Sequence, residues 1–364
     1  MIVENINNSV IKDSLIKDGF VADELNNNKF FKCFSSVDEE YHSIRRGVGL
    51  RIQFDNAIIL LTGVDVLDYL HRVSTNDLKD LPISKIAKTV FTSDKGRILD
   101  LVEIVNLGEK KFLLGNQNTA ALLTRWIDKF VIMDDVHVKN LQNEYIIIEL
   151  IGPQSDSFIT LLFGKQVETL EADSVKEIFF DISNIYVCKH FNRNGEGTYK
   201  IILKQNEAVN LINYAVSNKG LFDFHLIGED AFKIFSIEEG IFSSNELNDL
   251  FNPLEAKLNN FISFTKGCYI GQEVIARLDS YDKVQKLITG IELEKKVKLE
   301  NGSKVFDEQG NEAGTITSSI CDCERGKMIG LAYIKKGYIG NGNILSVYSG
   351  EEKIAINIKE FPLI

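Results

Sequence analysis

Between Gly47 and Ile288 the chain alternates short apolar runs with amphipathic segments, and the spacing between them is irregular. Residues 48–54, 57–61, 101–107 and 111–114 are β-rich and are bounded by Gly, Asn and Asp, the punctuation of hairpins. Residues 145–151 form an apolar run broken only by Glu149, the pattern of a strand buried on both faces. Further strands are expected at 199–203 and 222–226. Helices fall between these runs. Asp65 caps a segment in which Leu67, Leu70 and Val73 recur at helical spacing, and residues 119–130 gather Leu122, Leu123, Trp126, Ile127 and Phe130 on one face. Others are read at 155–162, at 207–217 before Gly220, and from Glu229 to Gly240. Strands mixed with helices, without regular βαβ spacing, give an α+β class. After about Ile288 the texture is all β, with tight turns at Asn301-Gly302 and Gly310-Asn311, which predicts a small C-terminal β-barrel.

At 364 residues the chain exceeds the roughly 250–300 at which a single core stops growing. The expected division is an N-terminal arm over 1–45, a body of two α+β subdomains over 46–285 and a barrel domain over 286–364. The arm, rich in Asn, Asp and Lys, is read as peripheral, with little core of its own. The 41 basic residues against 52 acidic give a net charge of −11, which repels nucleic acid and anionic membranes. Neither is expected as a direct partner. Cysteines stand at 33, 188, 268, 321 and 323 without a C-x-x-C pair, and Cys321-Asp322-Cys323 lacks nearby ligands to complete a zinc set. No metal site is predicted, and a reducing compartment is implied. With no secretory signal and no apolar run near the ~20 residues of a membrane span, the expected location is cytoplasmic.

Standard catalytic signatures are absent, and the five histidines are scattered. One segment stands apart, Lys266-Gly267-Cys268-Tyr269-Ile270-Gly271-Gln272-Glu273. Its glycines free the backbone for a tight turn, and a helix begins near Gln272. A neighbouring cation and a helix N-terminus both favour thiolate at Cys268. Two readings stand side by side, a reactive or metal-ligating sulfur and a small buried hydrophobe in a turn.

This segment resembles the K-G-C-Y-x-G-Q-E signature of the YgfZ-type folate-binding proteins. Those are relatives of the glycine-cleavage T-protein (aminomethyltransferase) and of mitochondrial iron–sulfur assembly factors. Leu61–Leu70 with Ser74-Thr75-Asn76-Asp77-Leu78 resembles the superfamily's "G-x-D-a-x-x-F-L … T-N-D-L". Phe91-Thr92-Ser93-Asp94-Lys95-Gly96-Arg97-Ile98-Leu99-Asp100 resembles "F-T-x-x-x-G-G-I-x-D-D", and Asn252-Pro253-Leu254-Glu255-Ala256 resembles "P-L-E-A". The resemblance implies three subdomains around a central cavity that holds tetrahydrofolate or a derivative. It also implies Cys268 and Lys266 as catalytic residues, and Asp100, Asn116, Glu196, Tyr269 and Gln272 as cofactor-binding ones.

The chain departs from the pattern in the transfer chemistry. In the ungapped register Asp100 falls on the first Asp of "D-D" and Leu101 on the second, which in aminomethyltransferases acts near the folate amine. Adjacent strand residues face opposite ways, so Asp100 is no simple substitute. Ser236 stands where the family has Arg. Arg193-Asn194-Gly195-Glu196-Gly197-Thr198-Tyr199 matches the pterin-binding "Y-T-G-E-x-G-x-E" only in part. The leading expectation is therefore a folate-binding YgfZ-type protein that supports iron–sulfur enzyme maturation or repair, with iron–sulfur client or assembly proteins as partners. A tetrahydrofolate-dependent aminomethyl- or methyltransferase is the alternative. A tRNA-modification accessory role comes third.

Overall fold

The computed structural model describes residues 11, 13, 15, 23–25, 28–297, 299–322, 326–340 and 344–363, with backbone alone at 23–25 and 28–30. These fall into two compact units. The first draws on Met1–Leu70, Leu78–Lys88 and Val102–Ala231, the second on His71–Asp77, Thr89–Leu101 and Phe232–Ile364.

The first unit is built on a six-stranded sheet in the order Ser174–Phe180, Ser183–Phe191, Gly197–Lys204, Tyr145–Ile151, Val48–Gln53, Phe224–Ile227. All its pairings are antiparallel except the last, where Phe224–Ile227 lies parallel to Val48–Gln53. Register sorts its side chains. One cross-strand row, Val187, Ile201, Ile148 and Ile52, enters the main core with Phe158 and Leu211. The next row, Cys188, Lys200, Glu149 and Arg51, belongs to the other face, because successive strand residues alternate. That face also carries Ile147, Tyr186 and Ile202, which join Ile58, Val105 and Phe112 in a second cluster. The run at Tyr145–Ile151 is thus a strand with apolar partners on both sides. The helices obey the 3.6-residue period: Gln205–Ser217 buries Ala208, Leu211, Ile212 and Ala215.

A five-stranded sheet is ordered Ile86–Thr92, Ile98–Asn106, Lys110–Gln117, Asn56–Thr62, His137–Asn140. The unit boundaries fall inside its first two strands, at Lys88 and at Leu101. The strand expected at 222–226 begins later, at Phe224, because the Phe222 amide closes a turn on the Lys219 carbonyl.

The N-terminal segment, expected as a peripheral arm with little core of its own, is tied into the first unit. Ile11, Leu15 and Phe31 are buried in the main core of the first unit. Helix Val37–Arg46 is capped by Ser36 and contributes Glu40, whose carboxylate accepts from the amides of Phe34, Ser35 (2.9 Å) and Gly228 (2.7 Å). The Asn- and Lys-rich composition of the segment hid these anchors.

In the second unit, Lys286–Leu293, Lys327–Lys335, Glu312–Asp322, Lys304–Phe306, Leu345–Ser349 and Glu352–Lys359 close a six-stranded barrel. Ile291, Val305, Ile316, Ile334, Val347 and Ile356 fill it. The fold is α+β with a C-terminal barrel, as the texture predicts. Among the described residues no helix is long and apolar enough to cross a membrane, and no group of three or more His, Cys, Asp or Glu could hold a metal. Cys323 lies outside the described residues.

Candidate functional site

Three of the sequence motifs meet in the second unit. The Gly271 carbon turns the chain into helix Gln272–Ser280 at φ +83°, and a Cβ there would sit 2.5 Å from the Ser93 carbonyl oxygen. Only glycine fits such a turn. Gly96, at φ +64°, is the matching residue of the facing motif, with Val274 3.1 Å from the position of a Cβ. Thr92 Oγ1 donates to the Ile270 carbonyl at 2.6 Å. Thr75 Oγ1 donates to the Phe261 carbonyl at 2.7 Å, and Thr89 Oγ1 donates to Ser74 Oγ at 2.9 Å. Two of these hydroxyls, Thr92 and Thr75, satisfy backbone carbonyls, and the third, Thr89, bonds another hydroxyl.

Lys266 completes this cluster. Its ammonium donates to the carbonyls of His71, Ser74 (2.6 Å) and Asn76 (2.7 Å), and lies 5.2 Å from the centroid of the Tyr269 ring. An ammonium has three N–H donors, so all are taken by backbone. The sequence expectation of a cation serving the thiol is replaced by a cation serving the 71–76 segment. Burial pulls its pKa from 10.5 down to about 8, against the pull of Asp77, so it stays charged at neutral pH. Asp77 in turn pairs with His71 at 2.9 Å.

Cys268 is exposed. Tyr269 is buried with Leu254, Ile262 and Ile275, and burial pushes its hydroxyl up to about 12. Gln272 opens the helix, and its Nε2 lies 3.5 Å from the Gly267 carbonyl oxygen. Asp100 is fully buried in strand Ile98–Asn106, while Leu101 packs against the cluster containing Val90, Phe251 and Tyr333. These five expected site residues belong to the second unit. Asn116 and Glu196 belong to the first. The Asn116 carbonyl accepts from Thr119 Oγ1 at 2.8 Å just before helix Ala120–Phe130. Glu196 lies in a hairpin turn, where its carboxylate accepts from Asn192 Nδ2 at 2.7 Å and its amide donates back to Asn192 Oδ1 at 2.9 Å.

The first unit holds a second polar centre that the sequence reading missed. Glu103 Oε1 accepts from Lys200 at 2.8 Å and lies 3.3 Å from Lys88. Its Oε2 stands 3.6 Å from His190 Nε2, and His190 Nδ1 lies 3.2 Å from Asp173. Burial alone would raise the Glu103 pKa, but Lys200, His190 and Lys88 outweigh it and hold the carboxyl well below its usual range. Neither Glu103 Oε2 nor His190 Nε2 has a hydrogen-bond partner among the described residues. Arg51 extends the charges across the sheet, 3.4 Å from Glu149 and 3.6 Å from Glu229. The available signal was one charge interrupting each apolar strand, as in Leu101-Val102-Glu103-Ile104-Val105 and Tyr199-Lys200-Ile201-Ile202.

The architecture is that of the T-protein fold. The crystal structure of the glycine cleavage system aminomethyltransferase T from Bartonella henselae superposes with a TM-score of 0.85 over 97% of each chain, at 18% identity. Residues 21–266 match the model of the GCVT N-terminal domain, and the chain belongs to that family. An aminomethyltransferase of Staphylococcus carnosus is 24% identical over 329 residues, 89% of each chain. One from Thermotoga neapolitana is 23% identical over 329 residues, 90% of this chain and 89% of its own.

Proposed function

We propose that the protein binds a reduced folate and carries out one-carbon transfer of the aminomethyltransferase kind. The family and the full-length similarity to aminomethyltransferases favour this reading over a role confined to iron–sulfur enzyme maturation. The observation that carries it is Glu103. Leu101 leaves the family's carboxylate position apolar, but Glu103 lies two residues further along the same strand and so on the same face. It is held ionised, with one oxygen accepting no hydrogen bond among the described residues. A fixed carboxylate stabilises positive charge that develops at an amine during transfer, and loss of such a group costs on the order of 10²–10³ in rate.

A second reading, a YgfZ-type folate-binding protein that supports iron–sulfur enzymes, is favoured by the exposed Cys268 on its rigidly held turn. Calorimetry with tetrahydrofolate should show saturable binding; no heat at millimolar ligand defeats both readings. A transfer assay from an aminomethyl-loaded lipoyl carrier then separates them. Turnover supports the first, whereas binding without turnover, with complementation that depends on Cys268, supports the second.

A further inference from the structure

We propose that Lys266 acts as a tethered monovalent cation, filling a cage of backbone carbonyls in residues 71–76 and so positioning the Cys268 turn. Emptied of the lysine, the cage takes ammonium or potassium. The acceptors are three neutral carbonyls from one short segment, converging on a single nitrogen. Carbonyl oxygens arranged in this way replace the hydration shell of a small cation. The segment also supplies negative potential. His71 lies in the last turn of helix Val66–Val73, where carbonyls lack intrahelical partners and the helix dipole presents its negative end. Asp77, the nearby carboxylate, is engaged with His71. The ammonium also lies over the Tyr269 ring, 5.2 Å from its centroid.

The cage explains why lysine stands two residues before Cys268. Ser263 donates its amide to the Thr75 carbonyl at 3.0 Å, so the 71–76 segment is joined to the strand of chain leading into the turn as well as to Lys266. Removing the cation takes away the ammonium on which the three carbonyls converge, and their mutual repulsion opens the segment. Lys266 is on this account a positioning residue.

The test needs no folate, so its failure and that of the functional reading are distinguishable. Hydrogen exchange at pH 7 is followed for peptides covering 71–77 and 263–271 in the full-length protein. Lys266→Met should raise exchange about tenfold in both, the signature of local opening. Ammonium or potassium chloride should reverse the rise, and choline chloride at equal ionic strength should not. Lys266→Arg should stay unprotected, because a planar guanidinium cannot converge three donors on one point. Unchanged exchange in Lys266→Met, no rescue by either cation, or full protection in Lys266→Arg overturns the proposal. Should Lys266→Met not fold, the native protein supplies the measurement: Lys266 should be acylated at pH 7 far more slowly than exposed Lys95 and Lys110. Equal rates would refute the cage.

Discussion

Lys266 and Glu103 are both charged groups withdrawn from water, one in each unit, and they are accommodated by opposite means. Around Lys266 the compensation is mainly dipolar: three carbonyls from residues 71–76 and an aromatic ring. Around Glu103 it is ionic, with Lys200, Lys88 and His190 each supplied by a different strand. Dipoles fix geometry within a segment and leave the group's charge exposed to titration, as burial pulls Lys266 down to about 8. Opposite charges instead lock the protonation state, and the Glu103 carboxyl is held far below its usual range. One centre is suited to positioning a turn, the other to holding a carboxylate ionised.

The sharpest way to break this comparison is Glu103→Ala. It leaves Lys200 without its carboxylate in the first unit, and removing one partner of a buried pair costs roughly 3–5 kcal/mol. Denaturant unfolding should show that loss, and a change below about 1 kcal/mol would mean that water already screens the network. The same carboxylate sets an acid dependence. Its folded pKa lies below the ordinary value of 4.5, so its stabilisation is complete above 4.5 and fades as pH falls toward the folded value. Stability measured from pH 6 to pH 2 should therefore drop more steeply in the native protein than in Glu103→Gln; parallel curves would locate the acid sensitivity elsewhere.

Smaller effects sharpen the other side. Gly271→Ala forces a side chain into the left-handed region against the Ser93 carbonyl, at a cost of about 1–3 kcal/mol in backbone strain before any clash. An unchanged melting temperature would show that the turn can relax. Thr92→Val removes the donor to the Ile270 carbonyl and should cost ~1 kcal/mol. Because Thr92 is fully buried, the two variants should also be non-additive, and strict additivity would show that the motifs are not one unit.

Much of the architecture was legible in residue order. Helix Glu229–Glu239, strand Tyr145–Ile151 and the turns at Gly302 and Gly310 follow from periodicity and glycine placement, because those signals are local. The motif turn was legible too, since its lysine, cysteine and two glycines fall within six residues, Lys266 to Gly271. What the sequence could not say was where Lys266 spends its hydrogen bonds. Its acceptors are backbone carbonyls nearly two hundred residues away, and a carbonyl carries no residue identity. Nor could it single out Glu103, one carboxylate among 52 acidic side chains. Its significance depends on Lys200 and His190 arriving from other strands in one register, and register is decided by the packing of whole sheets. The order of residues determined the elements and the turn that carries Cys268, because short-range sterics and hydrophobic period act within a few residues. Tertiary structure alone decided which charges lie buried together, because desolvation and Coulomb attraction depend on distance in space and not on distance along the chain.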